Sequence, residues 1–286
     1  MAFFEFNGKS VYIDNRLKRE LDRKVIPDLK RKDKDAVFCV DGKERSGKSV
    51  FSMSIAAYIA SVLKTEFNLS NVCMQPNEFR EKVERSGKRQ AIIYDEAHRG
   101  MASIRTLSEV NKILKDLMME MGQRNLFIIV VLPTFFLLDK YVALFRTSGL
   151  FHVYENKRRR GYWVYYNEKR KQTLYMLGKR EFNYNCMKFP HFRGRFFNKY
   201  SLNEEVYREK KAKSFKSKPR VTKIEVLMDQ RDTYIWILHQ KLKLSSLDIE
   251  KLNKKYKLAL KARQIRDILA KIREKHVKSG SGGVII

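Results

Sequence analysis

The chain has 286 residues, and its 61 lysines and arginines outnumber its 32 aspartates and glutamates, for a net charge of +29. Hydrophobic residues make up 43% of the sequence and aromatic residues 12%, which excludes wholesale disorder and provides for a buried core. The large positive charge favours a polyanionic partner, with nucleic acid ahead of an anionic membrane surface.

The chain begins with a predicted strand pair and a charged helix. Residues 1–36 place an Asn-Gly turn at 7–8 between two short apolar segments, a pattern typical of a hairpin. A helical pattern follows over about 15–30. Pro27 is expected to break this helix, because proline lacks the amide hydrogen that a helix interior needs.

Apolar runs without strict polar alternation recur along the middle of the chain and are separated by helical segments. Such runs are typical of strands that are buried on both faces of a parallel sheet. The sequence therefore predicts an α/β fold with a mainly parallel sheet. The predicted strands are 37–40, 71–74, 91–94, 126–132 and 150–154, and the helices between them include 50–63 and 103–121.

Changes in composition divide the chain further. A basic, aromatic segment with apolar runs at 161–166 and 174–177 predicts a β-hairpin appended to the core. A lysine-rich stretch predicts a linker, and three amphipathic segments after it predict a compact helical unit. The expected organisation is an α/β domain over 1–207 with its core at about 35–155 and its hairpin at about 155–187, a basic linker over 208–223, a helical unit over 224–277 and a flexible tail over 278–286.

The most specific motif lies between the first buried strand and the helix after it. Residues 42–49 fit the pattern G-x-x-x-x-G-K-[ST], which binds the phosphates of a nucleotide. Gly47 lets the backbone approach a phosphate, Lys48 reaches the β- and γ-phosphates, and Ser49 gives its hydroxyl to Mg²⁺. The predicted ATP-binding residues are Gly42, Lys43, Glu44, Arg45, Ser46, Gly47, Lys48, Ser49 and Val50.

Two adjacent carboxylates follow the buried strand at 91–94. Parallel strands in α/β proteins bring their carboxyl ends to one edge of the sheet, where ligands bind. Asp95 is therefore expected to join Ser49 as a ligand of Mg²⁺, and Glu96 is expected to polarise the attacking water. The alternative for this pair is an ordinary helix-capping role after a strand.

Five features of the core occur in a set order, namely the motif at 42–49, Ile-Ile-Tyr-Asp-Glu at 92–96, Gly-Gln-Arg-Asn at 122–125, Pro-Thr at 133–134 and Arg146 before the strand at 150–154. The first two resemble the additional-strand, catalytic-glutamate class of P-loop ATPases. The whole order resembles the HerA/FtsK superfamily of ring-shaped, DNA-pumping ATPases. The resemblance covers about residues 35–155 and implies a RecA-like core that hydrolyses ATP with Mg²⁺.

The same resemblance implies roles for three further residues. Thr134 falls at the polar sensor position after the fourth strand, where family members often have glutamine. Arg124 and Arg146 fall near arginines that reach a neighbouring subunit's nucleotide, an effect that can be worth roughly 10³–10⁵ in rate. An arginine acting in trans requires an oligomer, and the resemblance implies a homo-oligomeric ring, a hexamer. The alternative for each arginine is an ordinary surface or salt-bridge role.

The last helical segment of 224–277 is strongly basic on one side. Two short helices, a tight turn and a basic helix resemble a helix-turn-helix, whose later helix enters the major groove of double-stranded DNA. The alternative is a three-helix unit with a solvated basic face or a protein-docking role. The residues expected to contact DNA here are Lys261, Arg263, Gln264 and Arg266.

The predicted hairpin is a second candidate surface for nucleic acid. Arg158, Arg159 and Arg160 would contact phosphates, and Trp163 and Tyr165 would stack on bases. The alternative is a sheet extension whose aromatic side chains belong to the core.

Three functions fit these features. The first is an ATP-driven translocase or packaging motor on double-stranded DNA, which explains the hydrolytic motifs and the charge together. The second is an ATP-switched DNA-binding initiator or regulator similar to origin-recognition ATPases, although the aromatic, β-like segment after the core differs from the helical lid of that class. The third is a phage assembly ATPase of the zonula-occludens-toxin type, which usually bears a membrane helix.

The remaining features bear on the compartment. Three scattered cysteines without a C-x-x-C pair favour a reducing environment over a disulfide framework. The start lacks the basic and apolar regions of a signal peptide, and the longest mainly apolar run, 126–138, is shorter than the roughly 18 residues of a spanning helix. We therefore expect a cytoplasmic protein, cellular or of a virus or mobile element, with no integral membrane segment.

Overall fold

The structure, a computed structural model, describes residues 2–32, 34–95, 111–112, 115–116, 124–156, 159–187, 189–216, 223–255 and 260–278. The chain divides into two compact units, Met1–Lys216 and Ser217–Ile286. The helix predicted at 103–121 and the tail predicted at 278–286 lie almost entirely outside the described residues. No helix within the described ranges has the length and apolar character to cross a membrane.

A seven-stranded sheet forms the centre of the first unit. Its strand order is β4-β5-β6-β3-β7-β8-β9, and the first five strands in that order are parallel whereas β8 and β9 add antiparallel. The predicted α/β fold with a mainly parallel sheet is thus confirmed. The strands are the N-terminal hairpin β1 (Ala2–Phe6) and β2 (Lys9–Ile13), and the sheet strands β3 (Ala36–Gly42), β4 (Val72–Cys73), β5 (Ala91–Tyr94), β6 (Phe127–Val131), β7 (Gly149–Asn156), β8 (Arg159–Asn167) and β9 (Phe192–Arg195).

Helices connect these strands and form the second unit. The helix after the first buried strand begins one residue after a glycine and ends before a left-handed lysine cap, and nearly all of it is buried. The helices are α1 (Asn15–Glu20), α2 (Ile26–Arg31), α3 (Lys48–Leu63), α4 (Pro76–Arg85), α5 (Glu168–Gly178), α6 (Glu204–Lys216), α7 (Lys223–Gln240), α8 (Ser246–Lys255) and α9 (Ala262–Lys278).

Hydrophobic clusters cover both faces of the sheet, which explains why the central strands read as continuous apolar runs. On the α3 side, Trp163 and Tyr165 of β8 join an aromatic cluster, with ring-centroid distances of 5.5 Å from Phe51 to Trp163 and 4.7 Å from Phe151 to Tyr165. Trp163 is 0% exposed and Tyr165 is 5% exposed. The predicted stacking of these two side chains on nucleic acid is therefore wrong, and the core alternative is correct.

The N-terminal helix continues past Pro27. A π-helical turn at Leu21–Val25 joins α1 to α2, and Pro27 lies in the first turn of α2. The hydrogen-bond pattern changes from π-helical to α-helical just before Pro27, which places the proline in a first α-helical turn, where it is tolerated. The prediction that Pro27 ends the helix is wrong for this reason.

Two further segments differ from the predictions. Residues 174–177, predicted as the second strand of the hairpin, lie inside α5, which buries Lys171, Leu174, Tyr175 and Gly178 at helical spacing. The partners of β8 are instead β7 and β9. The first part of the predicted linker at 208–223 belongs to α6, which packs with the first unit.

The second unit is built around a small apolar centre. Ile235 of α7, Ile249 of α8, and Ile265 and Leu269 of α9 form this centre. A capping box begins α8, because the Asp248 amide donates to Ser245 Oγ at 3.2 Å and the Asp248 carboxylate accepts from the Ser245 amide at 3.2 Å.

All three cysteines are free thiols. Cys39 in β3 and Cys73 in β4 are buried, whereas Cys186, in the loop after α5, is half-buried.

Candidate functional site

Residues 42–49 form a tight loop between the carboxyl end of β3 and the start of α3. Gly42 has a φ of +141°, and a Cβ atom there would lie 2.0 Å from the carbonyl oxygen of Val153. Gly47 has a φ of +97°, and a Cβ atom there would lie 2.8 Å from the ring of Phe196. Both positions require glycine, because other residues rarely adopt such φ values and the space is already filled.

Lys48 directs its ammonium group back into this loop. Its Nζ donates hydrogen bonds of 2.7 Å to the carbonyl oxygens of Gly42 and Lys43. Burial lowers the pKa of Lys48, and the carboxylates of Asp41 and Asp95 oppose that shift. The ammonium group and the amides that open α3 together concentrate positive charge at the loop, which suits an anionic ligand.

Ser49 and Asp95 come together although 46 positions separate them in the sequence. Ser49 Oγ donates a hydrogen bond of 3.1 Å to Asp95 Oδ1. The contact arises because β3 and β5 run in the same direction with only β6 between them, so that their carboxyl ends share one edge of the sheet. The two residues predicted to share a metal ion are therefore adjacent.

The other oxygen of Asp95 is held by Tyr207 of α6, a residue that no sequence motif indicates. Tyr207 Oη donates a hydrogen bond of 2.5 Å to Asp95 Oδ2, and the tyrosine side chain is buried. Burial and the adjacent Asp95 carboxylate raise the pKa of Tyr207, so the phenol remains protonated. Lys210, one turn further along α6, pairs with Glu78 at 2.5 Å and fixes the helix beside β4.

The oxygen atoms of Ser49 and Asp95 suit a small, hard cation such as Mg²⁺, which prefers oxygen ligands. Within the described part of the chain, no three His, Cys, Asp or Glu side chains lie close enough to hold a metal ion by themselves. A cation here would take its other ligands from phosphate or water, as Mg²⁺ commonly does. The buried hydroxyl of Ser46 in the same loop has no hydrogen-bond partner among the described residues, a deficit that a phosphate oxygen would satisfy.

A second buried carboxylate, Asp41, directly precedes the loop. Its Oδ1 lies 2.8 Å from Nδ1 of His152, and its Oδ2 accepts hydrogen bonds from the Tyr184 hydroxyl and from a main-chain amide. The Tyr184 hydroxyl also lies 2.7 Å from Oγ1 of Thr134. The predicted sensor residue Thr134 is thus connected to the loop strand β3. A charged residue at the end of a buried apolar run was the available sequence signal for Asp41.

The two arginines predicted to act in trans lie before the parallel strands β6 and β7, at the opposite edge of the sheet from the 42–49 loop. The Arg124 guanidinium donates to main-chain carbonyl oxygens at the end of α4, those of Val83 at 3.3 Å and Ser86 at 3.1 Å among them. Arg146 is half-buried and makes no hydrogen bond or ion pair with any described residue. Arg124 therefore caps a helix of its own chain, and a role in trans for either arginine stays a prediction.

Four predicted residues of the first unit remain, and the structure describes two of them. Arg159 and Arg160 are exposed at the start of β8, and Arg160 pairs with Glu155 at 3.1 Å. Arg158 and the predicted catalytic Glu96 lie outside the described residues.

The predicted DNA-contacting residues of the second unit surround the start of α9. All four are exposed, whereas Ile265 on the same turn is buried, so the basic face is separate from the apolar face. The side chain of one of them already caps the helix, because Gln264 Oε1 accepts a hydrogen bond of 3.0 Å from the Lys261 amide. The four residues are Lys261, Arg263, Gln264 and Arg266.

Comparisons of the chain with protein-family models, with curated proteins and with solved structures found no match. The chemistry of the site is therefore inferred from the residues that form it. A glycine-dependent loop, a buried lysine and an adjacent hydroxyl–carboxylate pair together suit a ligand that carries phosphates and a divalent cation.

Proposed function

We propose that the chain is a P-loop ATPase with a RecA-like core, which hydrolyses ATP with Mg²⁺ and translocates double-stranded DNA. The observation that carries the proposal is the 3.1 Å contact between Ser49 and Asp95, which unites the two halves of a nucleotide site. A turn that was rich in glycine and lysine by chance would have no reason to meet a carboxylate from a second strand.

The strand order supports the proposal. The strand β6 lies between β3, which leads into the 42–49 loop, and β5, which ends directly before Asp95. An additional strand beside the loop strand is the feature for which the resembled ATPase class is named. The carboxyl ends of β3, β5 and β6 meet where Thr134 follows β6, so a polar residue from the middle strand is also available at this edge.

In the proposed mechanism, the loop amides and Lys48 bind the β- and γ-phosphates, and the ammonium group exchanges its two carbonyl partners for phosphate oxygens. Ser49 and Asp95 would hold Mg²⁺, and a bound Mg²⁺ would supply positive charge to the transferred phosphoryl group. Glu96, the next residue along the chain, orients the attacking water. Thr134 and the Asp41 network fix the main chain beside the loop, so these groups are positioned before the nucleotide binds.

The DNA part of the proposal rests on charge. A net charge of +29 and exposed basic residues in both units suit a protein that grips a phosphate backbone without reading its sequence. A homo-oligomeric ring, a hexamer by resemblance, would couple hydrolysis to movement and place arginines at neighbouring nucleotides. An ATP-switched DNA-binding initiator is the alternative, and a phage assembly ATPase is a further one.

The proposal is tested by measuring steady-state ATP hydrolysis with Mg²⁺ in the absence of DNA, with single-stranded DNA, and with duplexes of increasing length. A translocase keeps hydrolysing while track remains, so we expect stimulation that grows with duplex length. Slow hydrolysis that ignores duplex length would favour the ATP-switched alternative. Absence of hydrolysis under every condition would remove the enzymatic proposal.

Two variants connect the activity to the site. Lys48→Ala should abolish turnover, whereas Glu96→Gln should abolish turnover and still bind ATP. Lys88→Ala is a matched control, because this exposed lysine lies at the opposite edge of the sheet, before β5. Full hydrolysis by Glu96→Gln would exclude Glu96 as the general base.

A further inference from the structure

The face of β7, β8 and β9 opposite α3 carries a row of aromatic and basic side chains. Side chains alternate between the faces of a strand, so burial of Phe151, Val153 and Trp163 on the α3 side places their neighbours on the other side. Those neighbours are half-buried or exposed rather than buried. They are His152, Tyr154, Tyr162, Val164, Arg193 and Arg195.

Four of the rings on this face form a continuous row of ring contacts, which we call the aromatic ladder (Tyr184, His152, Tyr154 and Tyr162). The centroid of Tyr184 lies 4.2 Å from that of His152, with 27° between the ring planes. His152 and Tyr154 are 6.4 Å apart and nearly parallel at 10°, and Tyr154 and Tyr162 are 5.9 Å apart at 33°. Arg195 of β9, the last strand in the sheet order, ends the row, with its guanidinium carbon 4.9 Å from the centre of the Tyr162 ring.

The inner end of the aromatic ladder is fixed by hydrogen bonds. Asp41, which is fully buried, accepts from the Tyr184 hydroxyl and lies 2.8 Å from Nδ1 of His152. Tyr184 and His152 are therefore held in place before any ligand arrives, and they fix the inner end of the row. Side chains that are already ordered lose little conformational entropy on binding, which favours their use as a contact surface.

Positive charge lies at the outer end of the aromatic ladder. Arg193 and Arg195 are exposed, and neither has a carboxylate within salt-bridge distance among the described residues. Arg160 on the neighbouring strand is partly neutralised by Glu155 at 3.1 Å, so it contributes less. Half-exposed rings beside two exposed guanidinium groups match the two needs of an unpaired nucleotide, a surface on which its base can stack and a cation for its phosphate.

We infer that the aromatic ladder, with Arg193 and Arg195, binds single-stranded nucleic acid by stacking its bases on Tyr154 and Tyr162. A duplex is excluded as the main ligand of this surface, because its bases already stack on one another and offer no free face. This surface for single strands is additional to the duplex contacts of the proposed function. It does not depend on ATP hydrolysis, so a chain that binds single strands without hydrolysing ATP would lose the proposed function and keep this inference.

The test measures binding of fluorescein-labelled dT₂₀ and rU₂₀ to the full, nucleotide-free chain by fluorescence anisotropy at several salt concentrations. Each base stacked on an aromatic side chain is worth roughly 5- to 150-fold in affinity. The double variant Tyr154→Ala/Tyr162→Ala should therefore bind at least about 25-fold more weakly, whereas Tyr154→Phe/Tyr162→Phe should bind as the wild type does. A preference for one of the two oligomers identifies the sugar that this surface accepts.

The salt dependence separates stacking from charge. Arg195→Gln should reduce the slope of log affinity against log salt by about 0.7, the value for one phosphate contact on a single strand. The tyrosine variants should leave that slope unchanged. Phe145→Ala is the matched control, because this ring is 67% exposed and precedes β7 at the other edge of the sheet.

Three results would overturn the inference: no binding of either oligomer by the wild type, wild-type affinity in the double alanine variant, or an equal loss in Phe145→Ala. Circular dichroism establishes whether the double alanine variant is folded. If it is not, photo-crosslinking of the wild type to 5-bromodeoxyuridine oligomers replaces it. Crosslinks at Tyr154 or Tyr162 would support the inference, and crosslinks confined to residues 223–278 would contradict it.

Discussion

Replacing Tyr207 with phenylalanine removes one hydroxyl from the candidate metal site. That hydroxyl donates the 2.5 Å hydrogen bond to Asp95 Oδ2, while Ser49 occupies Oδ1. Asp95 is 1% exposed, so water does not replace a lost donor readily. A hydrogen bond to a charged group contributes about 1.5–3 kcal/mol, and we expect Tyr207→Phe to lower the free energy of unfolding of the nucleotide-free protein by that amount.

The same change should strengthen binding of Mg²⁺–ATP. Under the proposed function, a metal at Ser49 and Asp95 competes with the Tyr207 hydroxyl for the carboxylate. Without the Tyr207 hydroxyl, metal binding no longer has to break this hydrogen bond. The 1.5–3 kcal/mol that breaking it costs is then gained, which corresponds to an increase in affinity of about 10- to 150-fold. Binding of ATP without Mg²⁺ should change little, because Lys48 and the loop amides are untouched.

The assay titrates a fluorescent ATP analogue into the wild type and the variant, with and without Mg²⁺, beside urea unfolding of both proteins. Tyr200→Phe is the matched control, since its ring packs 5.5 Å from that of Tyr207. Unchanged or weaker Mg²⁺–ATP binding in Tyr207→Phe would refute the competition and show that Tyr207 supports Asp95 in the bound state.

Three further predictions concern stability. Gly42→Ala should cost at least about 2–3 kcal/mol in urea unfolding, because its Cβ atom would meet the Val153 carbonyl oxygen at 2.0 Å, whereas Gly87→Ala, with open space around it, should stay within about 0.5 kcal/mol. Burial lowers the pKa of Lys171 to about 8. Between about pH 8 and pH 10 this lysine is therefore neutral in the folded protein and protonated in the unfolded chain, so the free energy of unfolding rises with pH. Lys171→Met should abolish that rise. Ile265→Ala, in the centre of the second unit, should destabilise that unit by about 2–5 kcal/mol and leave Mg²⁺–ATP affinity unchanged.

Each of these has a contrary result. Equal costs for the two glycine variants would show that the loop relaxes around a side chain. A rise in stability between pH 8 and pH 10 that persists in Lys171→Met would assign it to another group. Weaker nucleotide binding in Ile265→Ala would show that the second unit contributes to the site in the first.

The parallel core was predictable because burial on both faces leaves a direct trace in the sequence. Runs such as 37–40 and 126–132 are apolar throughout, and a motif that follows one such strand must share an edge with a carboxylate that follows another. The contact of Ser49 with Asp95 followed from that geometry alone. The tyrosines that complete the site could not be found in this way. Tyr207 lies 112 positions from Asp95 and Tyr184 lies 143 positions from Asp41, and neither tyrosine belongs to a recognisable sequence motif.

The errors have a common physical origin. Residues 174–177 are a short apolar run, which fits a buried helix as well as a strand, and the capping Asn167 that begins α5 is a weak signal. The segment 161–166 is aromatic or apolar on both faces, so its alternation could not show which rings were buried. The structure places Trp163 and Tyr165, the two side chains predicted to stack on bases, in the core, and it leaves Tyr162 half-buried on the other face.

The distribution of the cysteines makes the natural chain suited to site-specific labelling. Burial raises the pKa of Cys73 to about 12 and raises that of Cys39 as well, so neither forms the reactive thiolate near neutral pH. Cys186 is the one cysteine with solvent access, and it lies two residues after Tyr184 with its thiol on the Asn183 carbonyl at 3.1 Å. A maleimide dye should therefore attach at a single position beside the aromatic ladder and report in real time when a strand arrives there, without any engineered cysteine.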